Sequence, residues 1–301
     1  MAGLKTIKQK IGAMKKSQTI TRAMEAVAAS KMRKSQQRAI KGRAYARAAA
    51  ATLSRLSGSQ ELATHPLTRG AEKLSAEKSS GSPQTISSSN FSTLYIAITS
   101  DKGLAGALNS SVLRAIQKEI QPGVSYKAIA VGKKAEEFFR TRGTLLKSYL
   151  NDDNVFDHAA EIVALAEEKF LSGEFDVVKV IYQHFVSTFE QRPSLEVMLP
   201  FSVQELQKVA DEARVHTYTL EPGPEEVLSV ILPKLAQIFV YHALLESQAC
   251  EHSARMVAMK SASDKAEELQ EGLQIKFNKA RQASITREVS EIVGGMEAVS
   301  N

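Results

Sequence analysis

Tryptophan is absent from the 301 residues, and aromatics reach only 6%. A chain this poor in large rings suits a protein with much paired helix. The single cysteine, Cys250, excludes an internal disulfide and any cysteine-based zinc site. It lies inside a helical pattern and is read as a buried small residue. No segment approaches the roughly 18 unbroken apolar residues needed to cross a membrane. The opening MAGLKTIKQKIGAMKK lacks the apolar h-region of a secretory signal. It is basic and amphipathic, but its helical pattern starts at Leu4 and runs on, which marks mature structure in a cytosolic protein. Acids are nearly missing from the first 60 residues. Fourteen Lys or Arg stand there against Glu25 alone, a surplus of +13 in a chain of net charge +6, so the rest sums to −7. Such a field attracts an acidic partner. Nucleic acid is the default, but between Lys31 and Arg47 the only aromatic is Tyr45, so stacking on bases is not suggested.

Both ends carry an apolar repeat averaging 3.5 residues. At the N-terminus it runs through Leu4, Ile7, Ile11 and Met14, then Ala28, Met32, Ala39, Ala46, Ala49, Leu53 and Leu56. At the C-terminus it runs through Leu228, Ile231, Leu235 and Ile238, then Leu245, Ala249, Met256, Met259, Ala266, Leu273 and Phe277. Such a narrow seam needs a partner helix, and each end is the obvious partner of the other. The expected fold class is therefore α/β, with a long antiparallel coiled coil of the two terminal helices and a separate central domain. At about 1.5 Å per residue the two helices would measure roughly 80 and 110 Å. Gln18, Thr21, Glu25, His242 and His252 interrupt the seam. Pro233 is expected to kink the second helix near its start.

The expected divisions are a coiled-coil helix over 1–57, a partly mobile linker over 58–92, and an α/β domain over 93–200. An irregular connection over 201–224 and a second coiled-coil helix over 225–301 follow. Glycine, proline and serine mark the linker, with a possible short helix at 71–78. In the centre, strands are expected at Thr93–Thr99, Tyr126–Val131, Leu145–Leu150 (an edge), Asp176–Phe185 and Ser194–Pro200. Helices are expected at Ser110–Ile120, Lys133–Thr141 and Asp157–Leu171. This alternation implies a mostly parallel, Rossmann-like sheet.

Little of the chain reads as catalytic. The glycines of Ser100–Gly106 follow a strand, but only two of the three that a dinucleotide site needs are present, so a tight turn is the better reading. Gly132-Lys133 resembles the end of a phosphate-binding loop, yet Lys127 and Lys134 stand where glycine and Ser or Thr are required. The six histidines are scattered. His242 and His252 lie too far apart on a helix to share a metal. Asp152 and Asp153 occupy a loop and are read as turn or cap residues. No cofactor and no metal site are expected.

Three blocks resemble one known family. They are ITRAMEAVAASKMRKSQ at Ile20–Gln36, TSDKGLAGALN at Thr99–Asn109, and ARMVAMK at Ala254–Lys260 with FNKARQASITREVSEIVGG at Phe277–Gly295. They are similar to the gamma subunit of F-type ATP synthase, the rotor shaft of the catalytic head. The resemblance is dense in the terminal helices and thinner in the centre. It implies a non-catalytic rotor, its nucleotide sites on other subunits, turning within an alpha/beta hexamer to couple ion flow to ATP synthesis or hydrolysis. It implies further contacts with an epsilon-type subunit and the membrane c-ring. The location implied is peripheral, on the cytoplasmic face of a bacterial inner membrane.

By the same resemblance, Met24, Lys31, Arg33, Lys34 and Arg38 would meet the hexamer, the cations facing an acidic loop. Arg281, Gln282, Thr286 and Glu288 would contact it further along the shaft. Ile285, Val289, Ile292, Val293 and Met296 would form an apolar tip turning in a sleeve, where non-directional contacts let it rotate without sticking. The serine-rich stretch 75–92 has no counterpart in the family pattern. A basic coiled-coil adaptor that binds nucleic acid through residues 15–47 stands as the alternative, and direct nucleic-acid binding is not expected under the first reading.

Overall fold

The computed structural model describes residues 2–56, 62, 64–68, 91–120, 124–202 and 223–300, with backbone alone for 2, 39–56, 224, 294 and 297–300. The side chains of the seam positions Ala39, Ala46, Ala49, Leu53 and Leu56 and of the cations Lys41, Arg43 and Arg47, together with the possible helix at 71–78 and most of 58–92 and 201–224, lie outside what is described.

The elements run α1 (Ala2–Leu56), β1 (Thr93–Ile98), α2 (Leu108–Glu119), β2 (Tyr126–Val131), α3 (Lys133–Arg140), β3 (Leu145–Tyr149), α4 (Val155–Leu171), β4 (Val177–Phe185), β5 (Gln191–Leu199) and α5 (Pro224–Ser300). The five strands form one sheet in the order β3-β2-β1-β4-β5. β1 pairs in parallel with β2 and β4, and β2 with β3. β5 returns antiparallel to β4. It starts at Gln191 rather than Ser194, because Pro193 sits on an outer strand where a missing N–H costs no ladder bond.

All six residues of β1 are buried. A strand covered on both faces reads as a continuous apolar run, which is why TLYIAI was legible. Successive side chains point to opposite faces. Leu94, Ile96 and Ile98 join one core, with Val178 and Val180 of β4, Ala159 and Ile162 of α4, and Leu228, Leu232 and Val240 of α5. Tyr95 and Ala97 join the other, with Val112 and Ile116 of α2 and Phe139 of α3. Each buried Leu or Ile contributes about 2 kcal/mol.

In its first part α5 departs from the expected narrow seam. Leu228, Leu232, Ala236, Val240 and Leu244 are fully buried, whereas Ile231, Leu235 and Ile238 are only half-buried. The neighbour here is the sheet core, not a single helix, and the buried row steps by four. By length and composition alone α5 is apolar enough to cross a membrane. In this fold much of that apolar surface belongs to the sheet core. Leu62 and Leu67, within the stretch read as linker, lie in the same core. The backbone N–H of Phe201 donates to the Leu67 carbonyl at 2.8 Å.

The chain divides into two compact units, one formed by Met1–Ala29 with Arg255–Asn301, the other by Ser30–Ala254.

Candidate functional site

In the first unit the two chain ends come together, as their repeats require. The less exposed positions of α1 are Leu4, Ile7, Ile11, Met14, Gln18, Thr21 and Ala28, with Met24 and Glu25 side by side. Those of α5 include Met256, Met259, Ser263, Ala266, Gln270, Leu273, Phe277, Ala280 and Ser284, with Arg255, Val257, Ala258 and Ala262 half-buried beside the row near its start. Both rows alternate steps of three and four, the signature of helix on helix. The polar breaks therefore sit in the seam itself. Thr21 meets its own need by donating its hydroxyl to the carbonyls of Ser17 and Gln18, at 3.0 and 3.1 Å. Gln270 keeps a buried side-chain oxygen without a hydrogen bond among the described residues.

The α5 row stops at Ser284. Beyond it every described side chain is exposed. Ile285, Val289, Ile292, Val293 and Met296, spaced i, i+4, i+7, i+8 and i+11, are each at least half exposed, Met296 at 68%. That spacing gathers them on one stripe. Arg281, Gln282, Thr286 and Glu288 are exposed along the same stretch, and the Ser284 hydroxyl donates to Glu288 Oε1 at 3.2 Å. The helix end thus presents an apolar stripe with polar groups beside it.

The basic segment continues into the second unit. Lys31, Arg33 and Lys34 are exposed there. Arg38 is engaged: its Nη1 lies 2.8 Å from Asp153 Oδ1, with the carboxylate side chain 78% exposed. The Arg38 hydrogen bond, reinforced by the charges of Arg38, Lys34 and Lys31, holds the Asp153 carboxyl below its usual range. Spaced i, i+3 and i+7, the three cations share one face of α1.

Asp153 belongs to a loop that fastens several elements. The Asn151 side-chain amide donates to the Thr99 carbonyl at 2.9 Å and to Glu251 Oε2 at 3.2 Å. Gln248 Nε2 donates to Asn151 Oδ1 at 3.1 Å and to the Asp152 carbonyl at 2.6 Å. Asp101 accepts from the backbone N–H groups of Lys133 and Asn151, both at 3.1 Å. Asp152 acts as the expected turn residue, accepting from the Asn154 N–H at 2.9 Å. Sequence reasoning missed Asn151, Gln248 and Glu251, because partners about a hundred residues apart leave no local pattern.

The glycines that suggested a phosphate loop have structural reasons instead. Gly132 has φ +89, and a Cβ there would lie 2.3 Å from the Thr99 carbonyl oxygen. Leu104 and Gly106 take left-handed conformations in the turn after β1. The turn is tied down by Asn109, whose Oδ1 accepts from the Ser100 N–H at 3.0 Å. Cys250 is buried as expected, against Ala105 and Leu108, and burial pushes its thiol pKa up. Among the described residues no group of His, Cys, Asp or Glu is arranged to hold a metal ion.

The ATP synthase family profile matches residues 3–299. The chain is 39% identical to the ATP synthase gamma chain of Symbiobacterium thermophilum, over 98% of each. It is similar in structure to a chain of the Tetrahymena thermophila mitochondrial ATP synthase central stalk and c-ring, with TM-score 0.56 and 28% identity over 81% of this chain and 99% of that one. A chain from the Euglena gracilis mitochondrial ATP synthase OSCP/F1/c-ring assembly shares the fold, with TM-score 0.68 and 20% identity over 99% and 95%.

Proposed function

This chain belongs to the gamma-chain family of ATP synthase, the central stalk of that complex, and on that premise we propose that it works as a rotor without chemistry of its own. The observation that carries the reading is the α5 seam that closes at Ser284 while an apolar stripe continues to Met296. A stripe left uncovered by its own unit fits a smooth apolar sleeve. Contacts there are non-directional and cost little to slide. Arg281, Gln282, Thr286 and Glu288 beside it offer directional bonds that hold a catalytic subunit at particular angles. Lys31, Arg33, Lys34 and Arg38 face an acidic segment of the same hexamer, and Met24 packs against the hexamer in the same stretch.

Torque enters through the α/β body, which contacts the epsilon-type subunit and the c-ring, and leaves through the paired helices. Coupling between binding sites is reciprocal, so nucleotide turnover in the hexamer drives the shaft as the shaft drives turnover. The complex is membrane-bound, with this subunit peripheral on the cytoplasmic face in a bacterial cell.

The experiment is affinity purification of the full chain from cells with the complex intact. Alpha and beta subunits in hexameric proportion are the expected companions. Their absence while the chain remains folded would sink the proposal.

A further inference from the structure

We propose that Asp153 is an internal occupant of a carboxylate-binding ladder on α1, and that it is displaced when an acidic peptide segment of a partner docks there. The inference rests on the reading that Lys31, Lys34 and Arg38 meet an acidic partner. It adds that the site is filled beforehand by the chain itself.

Lys31, Lys34 and Arg38 form one cationic face, in a region where Glu25 is the nearest acid in sequence. Left alone, three cations within two helical turns repel one another and their side chains sample many rotamers. Asp153 changes that. Its Oδ1 sits 2.8 Å from Arg38 Nη1, and the charges of Lys34 and Lys31, on the same helix face, also favour its ionised form. The ladder therefore already holds the chemical group that an acidic peptide would bring.

The occupant is also suited to leave. Asp153 is 78% exposed on its side chain and Arg38 33% exposed. Exposed ion pairs are weak, and several carboxylates arriving on one segment can outcompete a single one. The loop itself stays in place, because Asn151 and Asp152 are fastened to Gln248, and Asn151 also to Thr99. Release of Asp153 thus needs a side-chain rotation and no unfolding. The contact works as a clasp: it keeps the ladder ordered in the free chain and weakens the first encounter with the partner.

The test is fluorescence anisotropy of a labelled octaglutamate peptide titrated with the full chain, wild type against Asp153→Asn. Removing the internal carboxylate is expected to tighten peptide binding about threefold, the size of one exposed ion pair. Asp153→Glu keeps a carboxylate and should bind as the wild type does. Arg38→Gln should abolish the difference between Asp153 and its Asn variant. Equal affinity of wild type and Asp153→Asn overturns the clasp alone. No peptide binding by either overturns the acidic-partner reading of the ladder as well. Tighter binding of an octanucleotide than of the peptide, with equal steepness in salt, assigns the ladder to nucleic acid and overturns both.

Discussion

Lys179 lies in the middle of β4 with its side chain 1% exposed, and its Nζ is 2.5 Å from Glu119 Oε1 on α2. Two residues on, Ile181 fills the same face with carbon. Two further, Gln183 donates to the Leu108 carbonyl at 2.9 Å and also bonds the Ser111 hydroxyl. One face of β4 therefore pins α2 at both ends, by a charge at one and an amide at the other. Removing one partner leaves the other charge buried and unpaired. Lys179→Met alone should cost about 3–5 kcal/mol, while Lys179→Met with Glu119→Leu should restore most of it. Urea unfolding of the three proteins reads the difference, and equal costs for the single and double variants would refute the pairing as the cause.

Gly132 is held by a close approach as well as by its conformation. Gly132→Ala must relieve an overlap with the Thr99 carbonyl and place a side chain at φ +89. The strained backbone alone costs about 1–3 kcal/mol. Gly143→Ala is the control, since φ there is +67 but nothing lies within 4 Å of the added carbon. A thermal melt of Gly132→Ala no lower than that of Gly143→Ala would remove the contact from the explanation.

Glu167 on α4 has a buried Oε1 without a hydrogen bond among the described residues, and burial lifts its pKa to about 7. The unfolded chain titrates near 4.5. Below that value both states are protonated and the group contributes nothing. As pH rises from 4.5 to 7 the unfolded state loses its proton first, so stability falls and the penalty is complete above 7. Glu167→Gln should therefore stabilise the chain at pH 8 by about 1 kcal/mol, after allowance for partial exposure. The gain should vanish near pH 4. A gain independent of pH would show that charge is not its origin.

Arg281 and Gln282 are exposed, so replacing them tests function apart from fold. Arg281→Ala with Gln282→Ala should leave the melting of the free chain within about 0.5 kcal/mol of wild type. In the assembled complex it should lower coupled ATP turnover at least about threefold, the loss of one ordinary hydrogen bond. Unchanged coupled turnover would rule these two out as contacts.

What could be read from the sequence depended on how local the determinant was. TLYIAI announced a doubly covered strand because both faces of β1 are apolar. Leu4, Ile7, Ile11 and Met14 announced a helical partner because their spacing admits little else. Over 228–244 apolar residues occupy nearly every position, so the repeat through Ile231, Leu235 and Ile238 competed with the row through Leu232, Ala236 and Val240. Only the flat neighbour decided between them. Arg38 and Asp153 could not be paired in advance, since 115 residues separate them and each looks like an ordinary surface charge.

The end of the α5 seam at Ser284 has a consequence for assembly. A free peptide as short as the stretch beyond it would scarcely be helical in water, because the first turn fixes many torsions for one bond. Here that turn already exists upstream, within the paired stretch, and each later residue only extends it. The terminal segment can therefore keep its shape before anything surrounds it. On the proposed rotor reading, a newly made chain carries a preformed plug, and a hexamer closing around it need not supply the entropy of folding it.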